Sequence, residues 1–232
     1  MLLYFARMPA PDTAAPRWVA IFDLDGTLTR HDTLRLFLID FLRAHPPRCL
    51  RLWRLPLAFL NFAARGHDRG RLKSSVIRTV LGGMPRGVVD ACAESFVNSL
   101  QPRGEFFPAA LAALEAHRAA GDHLVLLSAS PDLYVPRIGR LLGFERTVCT
   151  EIRWAGDRLD GALITANRRG GEKLRCLEWL RTQYPDLPMA AYGNSAPDLD
   201  HMRHADRAVL VNGNAGARRS AEAAGIATAN WR

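Results

Sequence analysis

The segment Asp23-Leu24-Asp25-Gly26-Thr27-Leu28-Thr29 sets two carboxylates two residues apart, directly after the apolar run Trp18-Val19-Ala20-Ile21-Phe22. Carboxylates so close to a buried strand repel each other and lose hydration, so they need a cation or a reaction to compensate them. Magnesium suits such hard oxygen ligands. Gly26 permits a tight turn whose amides can face an anion. The plainer reading is an acidic turn in which Asp25 or Thr27 caps the next helix. A second cluster, Leu126-Leu127-Ser128-Ala129-Ser130-Pro131-Asp132, sets the Ser128 hydroxyl and the amides around Ala129 where a helix opening at Pro131 would receive phosphate; Ser130 would serve equally as its N-cap. Third, Gly170-Gly171-Glu172-Lys173 puts a lysine in a first helical turn, against the helix dipole, which points to a negative partner. Fourth, Gly193-Asn194-Ser195-Ala196-Pro197-Asp198 offers an amide oxygen and a carboxylate to a metal, or simply a capped helix start.

Four short apolar runs are predicted to be strands: 18–22, His123–Leu127, Met189–Tyr192 and Arg207–Val211. Runs without polar alternation suit strands covered on both faces of a parallel sheet. Helical spacing fills 108–120, 132–142 and 171–184, the first opened by Pro108 and closed by Gly121. The alternation predicts an α/β fold, a Rossmann-like, doubly wound and mostly parallel sheet. Each polar cluster is expected to close a strand, so all four would meet at one sheet edge.

More than eighty residues separate Asp23 from Pro108, far beyond a simple crossover. Helix-like stretches at 32–44, 49–64, 70–80 and 87–100 make this an inserted helical cap over the ligand-binding edge. The expected division is an extension at 1–17, a catalytic core at 18–30 and 105–232, and a helical cap at 31–104. The extension lacks a basic n-region and is broken by Pro9, Pro11 and Pro16; it is expected to be poorly ordered, with Met8 an alternative start.

Of the 232 residues 48% are hydrophobic, which excludes global disorder. The formal charge is +8, and Arg35 to Arg86 alone holds ten arginines and Lys73 against Asp40 and Asp68, a net +9. Within it, Leu50-Arg51-Leu52-Trp53-Arg54-Leu55-Pro56-Leu57-Ala58-Phe59-Leu60 mixes arginines with bulky apolar residues, either a solvated helix surface or a face for an anionic membrane. No nucleic-acid recognition motif accompanies the charge, so no nucleic-acid partner is expected. Four scattered cysteines fit neither a zinc ribbon nor a disulfide framework and favour a reducing cytosol. Nowhere do eighteen apolar residues run without interruption, so no span of the bilayer is expected. The expected location is cytoplasmic, peripheral at the inner face of the membrane; the oligomeric state is open.

The joint order of Asp23-x-Asp25-Gly26-Thr27, Ser128, Lys173 and Gly193-Asn194-Ser195-x-x-Asp198 resembles the haloacid dehalogenase-like phosphatase superfamily over residues 18–215. The inserted helices resemble the cap of its phosphoserine phosphatase subgroup. Within that subgroup, DLDGTLTRHDT, the basic-apolar insertion and His117-Arg118-Ala119-Ala120-Gly121-Asp122 look closest to phosphatidylglycerophosphatase C-like hydrolases. The resemblance implies that Asp23 attacks phosphorus to give an aspartyl phosphate and that Asp25 acts first as acid, then as base. It implies that Ser128, Ala129 and Lys173 hold the phosphoryl group. It further implies magnesium on Asp23, the Asp25 carbonyl and Asn194, with Asp198 orienting metal-bound water. Asn194 stands where the family has an acid, removing one negative charge and weakening the expected metal site. The implied substrate is a phosphate monoester, either a phospholipid monoester such as phosphatidylglycerophosphate or a small metabolite. The alternatives are a phospho-accepting signalling module and a catalytically weak relative. The stretch from Thr150 to Thr165, with turns at Ala155-Gly156-Asp157 and Asp160-Gly161, reads as a hairpin near the substrate. His201 and His204 read as surface residues, and Trp154, Trp179 and Trp231 as packing.

Overall fold

The computed structural model describes residues 17–64 and 68–232; the expected extension at 1–17 lies, but for Arg17, outside them. Strand β1 (Val19–Phe22) is followed by α1 (Thr33–Ala44), a 3-10 helix (Pro46–Arg54), α2 (Leu55–Ala64), α3 (Arg69–Leu81), α4 (Arg86–Leu100) and α5 (Pro108–Ala119). Then come β2 (His123–Pro131), α6 (Val135–Leu141), β3 (Arg146–Thr150), the pair β4 (Ile152–Ala155) and β5 (Arg158–Leu163), and α7 (Gly171–Gln183). The chain ends with β6 (Met189–Gly193), α8 (Leu199–Met202), β7 (Arg207–Val211), α9 (Ala215–Ala223) and β8 (Ala227–Ala229).

Six strands form one parallel sheet in the order β3-β2-β1-β6-β7-β8, and β4 and β5 form a separate antiparallel hairpin. The strand order reverses beside β1, and in such sheets a crevice opens beyond the carboxyl ends at that point. Register keeps those ends level, Phe22 lying between Leu126 of β2 and Tyr192 of β6. Both faces are covered because the strand residues alternate. Val19, Ile21, Val125 and Leu127 pack on Leu177 and Leu180 of α7. Ala20, Phe22, Leu124 and Leu126 belong to a larger cluster that also takes in Phe37, Phe41, Ile77, Leu81, Val89 and Phe96 from the inserted helices. Each fully buried Phe or Leu contributes roughly 1.5–3 kcal/mol. The helices inserted after β1 therefore share a core with the sheet.

Strands β3 and β8 escaped the sequence reading. They are sheet edges, and RTVCT and ATA lack the continuous apolar run of a doubly covered strand. The stretch predicted as one helix over 49–64 is a 3-10 helix opened by Pro46 and Pro47, joined to α2 at Leu55. Pro131 does not open a helix. It is the last residue of β2, and α6 begins only at Val135, with no side-chain cap. Ser130 is accordingly no N-cap. Asp32 caps α1 by accepting from the Arg35 amide, a role in which neither Asp25 nor Thr27 serves.

Candidate active site

Beyond Phe22 the chain leaves the sheet at Asp23, whose amide donates to the Tyr192 carbonyl of β6 (2.9 Å). Gly26 then turns the chain at φ +80°, where a side chain would be strained and a methyl would collide with the Asn194 amide. This close approach brings the β1 and β6 loops together. Asp23 is buried; its Oδ1 accepts from Lys173 Nζ (2.6 Å) and its Oδ2 from Thr27 Oγ1 (3.0 Å). Lys173 Nζ also donates to Asp198 Oδ1 (2.6 Å), so one buried ammonium bridges two carboxylates. The other Asp198 oxygen accepts from the amides of Asn194 (3.3 Å) and Ser195 (3.0 Å) and from Ser195 Oγ (2.6 Å).

The electrical state follows from these partners. Burial raises the Asp23 carboxyl above the carboxylate range; Lys173 opposes that rise and the neighbouring Asp198 adds to it. Burial would raise Asp198 too, but Lys173 and the Ser195 hydroxyl outweigh it and hold this carboxyl below its usual range. Lys173 is disfavoured by burial, yet Asp198 and Asp23 push its pKa above the ordinary lysine value. Lys173 lies in the first turn of α7, as expected, and reaches inward, though its cluster closes no strand.

Asp25 is held differently. Its Oδ1 accepts from the amide and hydroxyl of Thr33 (both 2.7 Å) and its Oδ2 from Ser130 Oγ (2.6 Å). Burial, with Asp32 nearby, raises its pKa despite these donors. Thr33 Oγ1 lies 3.1 Å from the buried Tyr134 hydroxyl. These orienting hydroxyls escaped the sequence reading; Thr33 is part of the DLDGTLTRHDT string, and Ser130 was read as a cap.

Asp23, Asp25, Ala129, Lys173, Asn194 and Asp198 line one cavity of about 300 Å³. Ser128 is not among its lining residues. It is fully buried, and its Oγ accepts from the Ser130 amide (3.0 Å), so it shapes the strand tip from behind. Other lining residues were not foreseen as site residues: Asp32, Ser130, Asn167, Ser195, and the cations Arg69, Lys73 and Arg169. The β4–β5 hairpin supplies none of the lining. It leans on α3, with the Leu163 amide donating to Ser74 Oγ (3.3 Å) and Arg78 paired with Asp160 (2.7 Å).

His201 is buried beside Lys173 and Asp198, contrary to the surface reading; burial pushes its imidazole down to about 3, and its Nδ1 has no partner among the described residues. His204 is exposed as expected. Of the three tryptophans, Trp179 is 41% exposed, whereas Trp231 packs beside Tyr192 and Trp154 lies under the Arg86 guanidinium.

The carboxylate, amide and carbonyl oxygens around Asp23, Asn194 and Asp198 are hard donors and fit magnesium. No cluster of three or more His, Cys, Asp or Glu that could hold a metal occurs among the described residues. A cation here would therefore depend on Asn194 and on backbone oxygen as well. The four cysteines are free thiols.

Protein CicA of Caulobacter vibrioides is 33% identical over 187 residues, covering 80% of this chain and 82% of that protein. A structure of a protein of unknown function from Bordetella pertussis Tohama I superposes with TM-score 0.77 at 23% identity, covering 94% of this chain and all of that one. A phosphoserine phosphatase solved as a phospho-aspartyl intermediate analogue superposes at 0.65 and 14% identity, covering 94% and 95%. These two likenesses agree with the fold derived above. The haloacid dehalogenase-like hydrolase model matches residues 20–203, from β1 through the Asn194–Asp198 turn, and by that match the chain belongs to the haloacid dehalogenase-like hydrolases.

Proposed function

We propose that the chain is a magnesium-dependent phosphomonoesterase that works through a phosphoryl-aspartate at Asp23. The observation that carries this reading is the pairing, at the tip of the central strand, of Asp23 facing Lys173 with Asp25 held by Thr33 and Ser130. Asp23 attacks phosphorus as the bond from phosphorus to the ester oxygen breaks. Asp25 gives its proton to the departing alkoxide. Asp25 then takes a proton from the water that attacks phosphorus, the acyl phosphate bond breaks, and inorganic phosphate leaves. The raised pKa of Asp25 favours the protonated form needed in the first half. Lys173 keeps Asp23 oriented and offers positive charge to the phosphoryl oxygens, with Ala129 and the Ser128-shaped strand tip beside them. Asp23, the Asp25 carbonyl, Asn194 and Asp198 would hold magnesium, which when bound supplies further neutralisation of phosphoryl charge. The phospho-aspartyl state of the phosphoserine phosphatase structure supports the same chemistry by likeness of fold.

Phosphate release from para-nitrophenyl phosphate tests the reading. We expect release that needs magnesium and that Asp23→Asn lowers by at least 10³-fold while the melting curve stays that of a folded protein. A wild-type chain silent on a panel of lipid and soluble monoesters would leave only a catalytically weak relative.

A specific observation favours a substrate presented at an anionic membrane over a freely soluble metabolite. Leu50 (78% exposed), Trp53 (73%), Leu57, Phe59 and Leu60 face water on the 3-10 helix and α2, interleaved with Arg51 and Arg54. Apolar exposure with interspersed arginine suits an acidic lipid surface, about 1 kcal/mol accruing per cation near it. This supports a peripheral position at the cytoplasmic face; among the described residues no helix is long and apolar enough to cross a membrane. Co-sedimentation with phosphatidylglycerol vesicles is expected for the wild type and lost in Trp53→Ala/Leu57→Asp; absence of wild-type binding would return the substrate to the soluble class.

A further inference from the structure

Among the described residues Tyr134 is the bulkiest side chain that is fully buried. It stands between β2 and α6, and its ring packs on Phe37 of α1 (5.0 Å) and Phe96 of α4 (5.3 Å). The inserted helices thus fix where the ring lies. A phenol hydroxyl in apolar surroundings needs a partner. This one finds Thr33 Oγ1 at 3.1 Å, on the first residue of α1.

The protons available set the direction of that bond. Thr33 Oγ1 has a single proton and gives it to Asp25 Oδ1 (2.7 Å). The phenol is therefore the donor and Thr33 the acceptor. Burial, with Asp25 adding to it, pushes the Tyr134 pKa well above that of an ordinary tyrosine, so the phenol keeps the proton it donates.

Asp25 can be treated in the same way. A carboxylate offers about four acceptor positions. Oδ1 receives the Thr33 amide and the Thr33 hydroxyl, and Oδ2 receives the Ser130 hydroxyl (2.6 Å). The position left over is on Oδ2. Were the Thr33 hydroxyl to turn away, Oδ1 would gain a vacant position and the proton of a neutral Asp25 would have two places to sit. The bond from Tyr134 opposes that turn.

We propose that Tyr134 is a positioning residue for proton transfer. By donating to Thr33 Oγ1 it holds the Thr33 hydroxyl on Asp25 Oδ1 and confines the transferable proton to Oδ2, from which it passes to the departing ester oxygen. The proposal rests on the phosphomonoesterase reading for the task of Asp25.

Leaving groups of different basicity isolate this role. Para-nitrophenolate departs with little help from an acid, whereas phenolate, nearly the same in size and shape, depends on one. The ratio kcat/KM reports the steps up to phosphorylation of Asp23 and leaves out the later hydrolysis, in which Asp25 is the base. It is measured in magnesium buffer for phenyl phosphate and para-nitrophenyl phosphate with the whole chain, as wild type, Tyr134→Phe, Thr33→Val and the double variant. Tyr134→Phe keeps the ring between Phe37 and Phe96 and removes only the hydroxyl, and a melting curve confirms that each variant is folded. We expect Tyr134→Phe and Thr33→Val each to lower kcat/KM for phenyl phosphate by at least about tenfold, and by about fivefold more than for para-nitrophenyl phosphate. The double variant should lose little beyond Thr33→Val alone, because the phenol acts through that hydroxyl. A proportionate loss on both esters from either single variant, as a merely structural defect gives, overturns the proposal. So does no loss, or a double variant in which the two losses multiply. A wild type silent on both esters would instead sink the phosphomonoesterase reading, and this role with it.

Discussion

Lys173 and Lys73 carry the same ammonium into one cavity under opposite conditions. Two carboxylates at 2.6 Å raise the pKa of the first, whereas burial without a carboxylate lowers the second to about 8. A lysine that titrates near 8 when folded and at its ordinary 10.5 when unfolded binds fewer protons in the folded state between those values. Stability contributed by this group therefore rises with pH across that window, and its full cost applies below about pH 8. A depression of this size corresponds to about 3 kcal/mol. Lys73→Met is expected to stabilise the fold at pH 7 by on the order of 1–3 kcal/mol, since the Ala129 carbonyl keeps its bond from Thr150 Oγ1 (2.7 Å). The gain should shrink as pH rises from 8 to 10.5, and urea titrations at pH 7 and pH 10 read the difference. A lysine kept at a net cost in stability marks a site shaped for binding, and here the sequence was least legible. Asp23 and Asp25 stand out by their spacing, and Lys173, Asn194 and Asp198 by a joint order that resembles the family's. Lys73, Arg169 and Arg69 were lost among ten arginines of a basic segment and one basic loop, since nothing in a charge run says which member faces inward.

The turns after β1 and β6 are where local chain geometry decides function. Gly26 sits at φ +80° against the Asn194 amide. Gly26→Ala adds backbone strain of order 1–2 kcal/mol and displaces Asn194. The expected outcome is a lower melting temperature together with at least a tenfold higher magnesium concentration for half-maximal phosphate release. An unchanged magnesium response would mean that Asn194 takes no part in holding the cation. At this scale sequence and structure agree most closely where a strand is covered on both faces. The runs at β1, β2, β6 and β7 each match a strand to within a few residues. They diverge where tertiary contacts decide: β3 and β8 form only by pairing with a neighbour, and β2 continues through Pro131 because Pro131 lies against Thr150.

Across the molecule, the residues between β1 and α5 and those of the sheet share one apolar cluster. Phe37 of α1 lies 5.4 Å from Phe96 of α4 and 5.0 Å from Tyr134, and all three are buried. Phe37→Ala is expected to cost about 3–5 kcal/mol. It should do so in a single unfolding transition, with far-ultraviolet circular dichroism and tryptophan fluorescence coinciding. Two separated transitions would mean that the inserted helices unfold on their own.

That common interior restricts how a ligand can get in. Swinging the whole helical roof away would bring Phe37, Phe96 and Tyr134 into water, a loss of roughly 1.5–3 kcal/mol for each ring. The stretch from Pro46 to Arg54 is tied to that interior as well: Leu52 packs against the common cluster, and Arg48 and Arg51 both donate to the Gly82 carbonyl (2.8 Å). A ligand therefore reaches the carboxylates of the cavity with those three rings still packed together.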